Sequence, residues 1–270
     1  MKGKDMSPAT KKTAAAKPHS DTGAVLREAA RRLDSSTRRL FLRRALGLGT
    51  LTLLSGCDVV DGVSAEGMLS RMSDFNDRVQ AWLFNPNRLA REYSEADITR
   101  PFPFNSFYVP NSPDKAPIID RDQYRLNLTG LIEDRRDWTL VELHALPRVT
   151  QITRHICIEG WSAIGKWSGV RFSEFLRRIA ADTTAKYVTF RCDDGYATSI
   201  DMPTALHPQT ILAFWFDGGE LPRRYGFPMK LRVPTKLGFK NPKHIGEIEV
   251  GNDYTGGYGE TYGYNWFSGL

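Results

Sequence analysis

The sequence predicts an α+β domain in which β-structure dominates. Short apolar or alternating runs recur between turn signals, at 124–128, 186–192, 198–202, 211–216, 230–234 and 246–250. Helical periodicities are few and short beside them. No internal repeat and no second boundary interrupts the stretch from 68 onward, which is long enough for one sizeable core.

The segment 1–36 is rich in Lys, Ala, Ser and Thr and lacks the apolar periodicity of a core, so it reads as disordered. Arg38 and Arg39 then precede Phe41-Leu42 and an uncharged run at 45–56. As a helix these residues would span about 18 Å, too little for a hydrocarbon core of about 30 Å. The run therefore reads as the apolar part of an export signal of the twin-arginine type, and Leu54-Ser55-Gly56-Cys57 as a lipobox whose cysteine carries lipid. The expected division is signal at 1–56, tether at 57–67 and folded domain at 68–270, with the protein periplasmic and held to the membrane through Cys57. Asp58, directly after that cysteine, points to the inner membrane.

Charge changes meaning once the signal is set aside. Residues 1–56 hold 12 of the 37 Lys and Arg but 4 of the 31 Asp and Glu, leaving 25 basic and 27 acidic residues, a formal charge of −2. The basic balance belongs to the signal, and no nucleic-acid partner is expected.

Within the domain, 68–84 places Met68, Leu69, Met72, Phe75, Val79, Trp82 and Leu83 at helical spacing, predicting an amphipathic helix. Six prolines and many aromatics make 85–117 irregular but packed. Tyr124, Leu126 and Leu128 alternate as in a half-buried strand. Thr139 and Glu142 form a capping box that opens a short helix before Pro147, and Ser173 is the expected cap of a second over 174–180. The segment 217–221 reads as a turn.

Chemistry concentrates at Cys157. No phosphate-binding loop, His-x-x-x-His or Cys-x-x-Cys occurs, and the five histidines are scattered. Arg154 and His155 beside Cys157 are expected to favour the thiolate, with Glu159 opposing. The residues alone leave three roles open: a metal thiolate, a nucleophile, or half of a disulfide with Cys192, which cysteine counting in an oxidising compartment ranks first.

Several ordered motifs over 104–250 resemble the sulfite oxidase-like family of molybdopterin-dependent oxidoreductases, and within it the periplasmic methionine sulfoxide reductase branch. They are Asn105-Ser106-Phe107-Tyr108, Cys157-Ile158-Glu159-Gly160-Trp161-Ser162 with Trp167-Ser168-Gly169, His207-Pro208, Leu221-Pro222, Gly226-Phe227-Pro228, Val233-Pro234 and Gly238-Phe239-Lys240. The resemblance implies a β-rich fold of the sulfite oxidase molybdopterin-binding type and molybdenum held by Cys157, with one molybdopterin supplying further sulfur. It implies cofactor contacts from Asn105, Tyr108, Val109, Cys192, Tyr225, Lys230, Gly238, Phe239 and Lys240. Tyr225, Lys230 and Cys192 stand where that branch has asparagine, arginine and threonine. A Cys157–Cys192 disulfide would consume the metal ligand, leaving a non-catalytic binding module as the alternative. No arginine closely follows Cys157, which favours a neutral S-oxide or N-oxide, small or on an oxidised protein side chain, over sulfite; a sulfite-oxidising enzyme is the other reading. Electrons would come from a membrane subunit carrying haem or linked to quinone.

Overall fold

A computed structural model describes residues 65–83, 85, 88–107 and 112–270. The expected signal, Cys57, most of the tether, Tyr108 and Val109 lie outside the described residues.

Helix α1 (Ala65–Leu83) opens the described chain. After the proline- and aromatic-rich stretch, strand β1 (Arg125–Gly130) pairs with the short β2 (Trp138–Thr139). Helix α2 (Leu140–His144) starts at Thr139 with the expected capping box, the hydroxyl and Glu142 exchanging hydrogen bonds with each other's backbone amides. The longest strands, β3 (Arg148–Ile156) and β4 (Ser162–Arg171), form one hairpin in unbroken register from Arg148↔Val170 to Ile156↔Ser162. Helix α3 (Phe172–Arg178) begins earlier than expected. Phe172 enters it to reach the core, so the N-cap falls to Arg171 without a side-chain bond, and Ser173 lies inside the first turn.

Strands β5 (Tyr187–Cys192) and β6 (Ala197–Asp201) form a second hairpin, followed by helix α4 (Met202–Leu206). The remaining elements are β7 (Ile211–Phe216), β8 (Gly219–Glu220), β9 (Lys230–Arg232), β10 (Ile245–Gly251) and helix α5 (Tyr258–Thr261). One sheet runs β2-β1-β10-β5-β6, parallel only between β1 and β10. The other runs β3-β4-β7-β8, with β9 also on β7.

The main core draws Leu126, Val188, Phe190 and Ile248 from the first sheet and Val170, Leu212, Phe214 and Leu231 from the second. Phe172 and Phe175 of α3 and Leu143 of α2 complete it. Side chains alternate along a strand, so Ile211 and Ala213 face the other way into a smaller cluster with Phe102, Trp167 and Tyr225. Strand β7 is thus apolar on both faces, which is why 211–216 reads as an unbroken apolar run.

Gly169 sits where β4 passes against the backbone of β7 with no room for a side chain. The register shifts between Ser168 and Gly169, and a Cβ on Gly169 would lie 1.8 Å from the Leu212 carbonyl oxygen. A side chain there must push backbone from backbone. Gly169→Ala should therefore cost about 3 kcal/mol of stability, read as a lower urea midpoint at unchanged m-value. Gly251→Ala, where a Cβ meets nothing within 4 Å, is the control expected within about 0.5 kcal/mol of the parent.

Candidate functional site

The β3–β4 hairpin closes over Cys157-Ile158-Glu159-Gly160. The Cys157 amide donates to the Trp161 carbonyl at 2.9 Å, and Gly160 takes φ 92°, a left-handed conformation that glycine adopts without strain. Alternation along β3 turns Gln151, Thr153, His155 and then Cys157 to one buried side. Arg154 points the other way, its guanidinium 5.3 Å from the Tyr93 ring centroid.

The Cys157 sulfur sits between a donor and an acid. Asn105 Nδ2 donates to Sγ at 3.3 Å, while Glu159 Oε2 lies 3.6 Å from Sγ and accepts from Trp161 Nε1 at 2.9 Å. Burial pushes the thiol pKa up, backbone donors at Glu159 and Ile158 work against the rise, and the Glu159 charge adds to it. Arg154 and His155 therefore do not lower it as the sequence suggested. Arg154 faces away, and His155 is held neutral by burial and by Lys230, Arg232 and Lys243. A thiol binds a metal ion as its thiolate, so a metal at Cys157 would displace this proton.

Three basic side chains lie on the segments packed here, Lys230 and Arg232 buried and Lys243 half-buried in the cleft wall. Arg232 on β9 is fully buried and uses neutral acceptors only. Its Nη1 donates to Asn241 Oδ1 and the Val233 carbonyl, and its Nη2 to Thr153 Oγ1 and the Arg154 carbonyl, at 2.6–3.2 Å. Its Nε has no partner among the described residues. Lys230, also on β9, lies over the Trp167 ring, its pKa pushed well down by burial and by Lys243 and Arg232, with Cys157 the opposing influence. Lys243 donates to the Asn105 carbonyl and interacts with Asp194, whose own carboxyl is pushed up by burial.

A cleft opens beside Cys157, with Asn105, Glu159, Asp194, Gly238, Phe239 and Lys243 in its wall and Phe107, Tyr196, Tyr258 and Tyr264 adding rings. Gly238 must be glycine here, because a Cβ would sit 2.6 Å from His155 Nε2. Among the described residues no hydrogen bond occupies the Gly238 or Phe239 amide.

Of the expected contacts, Asn105, Cys157, Gly238 and Phe239 come together here, with Lys230 buried behind them. Three others are placed differently. Lys240 is buried, its Nζ bonded to the Ser199 carbonyl at 3.0 Å and to Glu260, so it braces the turn and leaves anion binding to others. The Tyr225 hydroxyl donates to the Phe102 carbonyl at 2.6 Å within the aromatic cluster. Cys192 packs in the main core, and the turn after it reaches the cleft instead, through Asp194 and Tyr196. Cys157 and Cys192 are both free thiols, which removes the disulfide-linked alternative. Sequence reading missed Arg232, Lys243 and Asp194. The second lysine of Lys240-Asn241-Pro242-Lys243 was the available signal for one of them.

The donor set fits the cofactor that the motifs imply. Burial opposes the charged forms of Lys230 and Lys243, and a neighbouring anion would favour those forms, so the pocket suits an anionic group. The described residues contain no cluster of three or more His, Cys, Asp and Glu, so a metal at Cys157 needs a cofactor for its other ligands.

Comparison with known proteins agrees. The model of the oxidoreductase molybdopterin binding domain matches residues 114–258. A candidate protein-methionine-sulfoxide reductase subunit, YedZ1, from Azospira oryzae is 58% identical over 237 residues, 88% of this chain and 89% of that protein. The protein-methionine-sulfoxide reductase catalytic subunit MsrP of Ralstonia nicotianae is 28% identical over 57% of this chain, which spans 54% of that protein. The sulfane dehydrogenase SoxCD of Paracoccus pantotrophus shares the fold, with a TM-score of 0.50 at 17% identity over 74% of this chain and 57% of that one.

Burial brings the Lys243 pKa from 10.5 down to about 8, with Asp194 and then Cys157 pulling upward. The folded chain sheds this proton near pH 8 and the unfolded chain near 10.5, so the unfolded state binds more protons between them. Stability of the cofactor-free protein should thus gain from Lys243 as pH rises through that window. Urea unfolding at a series of pH values measures this, and Lys243→Met should flatten the slope.

Proposed function

This chain belongs to the oxidoreductase molybdopterin-binding domain family, and we propose that it is an exported, membrane-tethered catalytic subunit that reduces S-oxides. Methionine sulfoxide, in oxidised proteins or as the free compound, is the substrate class. The observation that carries this reading is the buried Cys157 sulfur, held by the Asn105 amide at 3.3 Å and within electrostatic reach of Lys230 and Lys243 beside an aromatic-lined cleft.

Molybdenum held by molybdopterin supplies the oxygen-atom and two-electron chemistry, which side chains alone cannot. Cys157 would be the protein's ligand, with Asn105 orienting its sulfur. Lys230 and Lys243 would offset the negative charge of the group, and the Gly238 and Phe239 amides would be available to its phosphate. Reducing a sulfoxide to its thioether takes two electrons and two protons and releases water. Glu159, in the cleft wall near Sγ, is the carboxylate positioned to pass a proton.

Two features favour a neutral S-oxide over a small dianion. Phe107, Tyr196, Tyr258 and Tyr264 offer the ring faces and edges that sulfur contacts well. Glu159 adds negative charge beside Cys157, where a dianion would be repelled. The relatives named as methionine sulfoxide reductase subunits support the same class. A haem-bearing or quinone-linked membrane subunit is the proposed electron source. The paired Arg38-Arg39, the apolar run and Cys57 support export and tethering.

Protein produced with molybdenum should carry one metal per chain by elemental analysis and oxidise a reduced viologen dye when methionine sulfoxide is added. Cys157→Ser should lose both metal and turnover; retention of both would overturn the site. Sulfite-driven acceptor reduction, with no response to sulfoxide, would overturn the substrate.

Export has its own test. Cell fractionation should find Arg38→Lys/Arg39→Lys protein in the cytoplasm, and Cys57→Ser should shift part of the exported protein from membrane to soluble periplasm. Unchanged distributions would overturn the export reading.

A further inference from the structure

Helix α1 presents its faces in the opposite sense to that of a helix packed on a core. The apolar spacing that predicted an amphipathic helix is present, but the apolar stripe faces solvent: Met72 is 54% exposed, Phe75 65%, Trp82 81% and Leu83 66%. At 100° per residue these four and Val79 occupy an arc of about 100°. Asp77, on the opposite side, is buried at 6% exposure and accepts from Asn265 Nδ2. The helix is thus anchored by a polar residue and leaves its hydrophobic one-third outward, a patch that soluble surfaces rarely leave uncovered.

We propose that this stripe docks the protein on the surface of an anionic lipid bilayer, with α1 lying in the interfacial plane. Charge identifies the occupant. Arg71 and Arg78, both exposed, flank the stripe on the Phe75–Trp82 side. Beyond the helix the surface continues into a groove lined by Leu83, Arg88, Leu89, Arg91, Tyr93 and Arg154, and none of the described residues lining it is Asp or Glu. The Arg91 and Arg154 guanidiniums lie 5.0 and 5.3 Å from the Tyr93 ring centroid. An apolar stripe with arginines at its margin and tryptophan at its edge is the composition of helices that lie in the headgroup layer.

Spanning is a different matter, since no helix among the described residues is long and apolar enough to cross a membrane. The position in the chain also suits docking. Cys57 lies eight residues before Ala65, a reach of at most about 29 Å. The inference rests on the orientation of α1 and holds whether or not Cys57 is acylated.

The test uses the full chain as Cys57→Ser, so that acylation plays no part, with vesicles of phosphatidylethanolamine and phosphatidylglycerol. Brominated acyl chains should quench a component of the tryptophan fluorescence that is missing in Trp82→Phe. Phe75→Glu/Trp82→Glu should bind these vesicles about tenfold more weakly while keeping its turnover of free methionine sulfoxide. Arg71→Gln/Arg78→Gln should lose most of its preference for phosphatidylglycerol over phosphatidylcholine vesicles. Identical quenching in the parent and Trp82→Phe would overturn the proposal. So would a solution dimer that Phe75→Glu/Trp82→Glu converts to monomer, which would assign the stripe to a second copy. Loss of turnover in every variant bears on the proposed catalysis and leaves the quenching result standing.

Discussion

The buried Arg232 guanidinium is the interaction on which the site depends. It bonds to β3 through Thr153 and the Arg154 carbonyl, to its own strand's exit through Val233, and to Asn241. These are the segments that carry Cys157, the base of the Gly238–Lys240 turn and Lys243. A buried cation is costly unless its donors are met, and here neutral acceptors meet four of them without a carboxylate. The guanidinium therefore fixes the geometry of these segments, at the cost of a charge that burial opposes. A methionine in its place would pack but could not align three segments at once.

The same arrangement sets stability against function. His155, Lys230 and Lys243 are each pushed towards their neutral forms by burial and by one another. The Cys157 thiol is pushed towards its protonated form. Each shift records, first of all, the free-energy cost of taking the charged form of a group out of water. An anionic group bound beside the lysines would offset part of that cost, and its binding would then add to the stability of the fold. Support comes from the main core, where Phe172, Phe175 and Leu176 of α3 pack between apolar side chains of both sheets.

Periodicity and local chemistry made much of the fold legible. The alternation of Tyr124, Leu126 and Leu128, the apolar run of β7 and the Thr139–Glu142 box express themselves within a few residues, and all three appear in the structure. Ser173 shows the limit. Its hydroxyl suits a cap, but burying Phe172 outweighed that preference and drew the helix start to an earlier position. The β3–β4 hairpin was not read as strands because its register joins residues on either side of Cys157 that carry no strong alternation, among them Gly165 and Lys166. Tyr225 and Lys240 stand at motif positions that imply cofactor contact, yet each commits its polar atom to a backbone carbonyl.

By itself the sequence determined the β-rich class, the single reactive cysteine loop and the motifs that mark a molybdopterin oxidoreductase, because these are written in residue type and short spacing. The tertiary structure alone decided that Cys192 lies in the core, that Arg232 ties β9 to the strand before Cys157, that Lys243 reaches the cleft wall, and that α1 turns its apolar stripe to solvent. Those outcomes depend on contacts between residues far apart in the chain, such as Arg232 with Thr153 and Asp77 with Asn265. A helical pattern states which residues share a face, but which way that face points is settled by what the rest of the fold offers it.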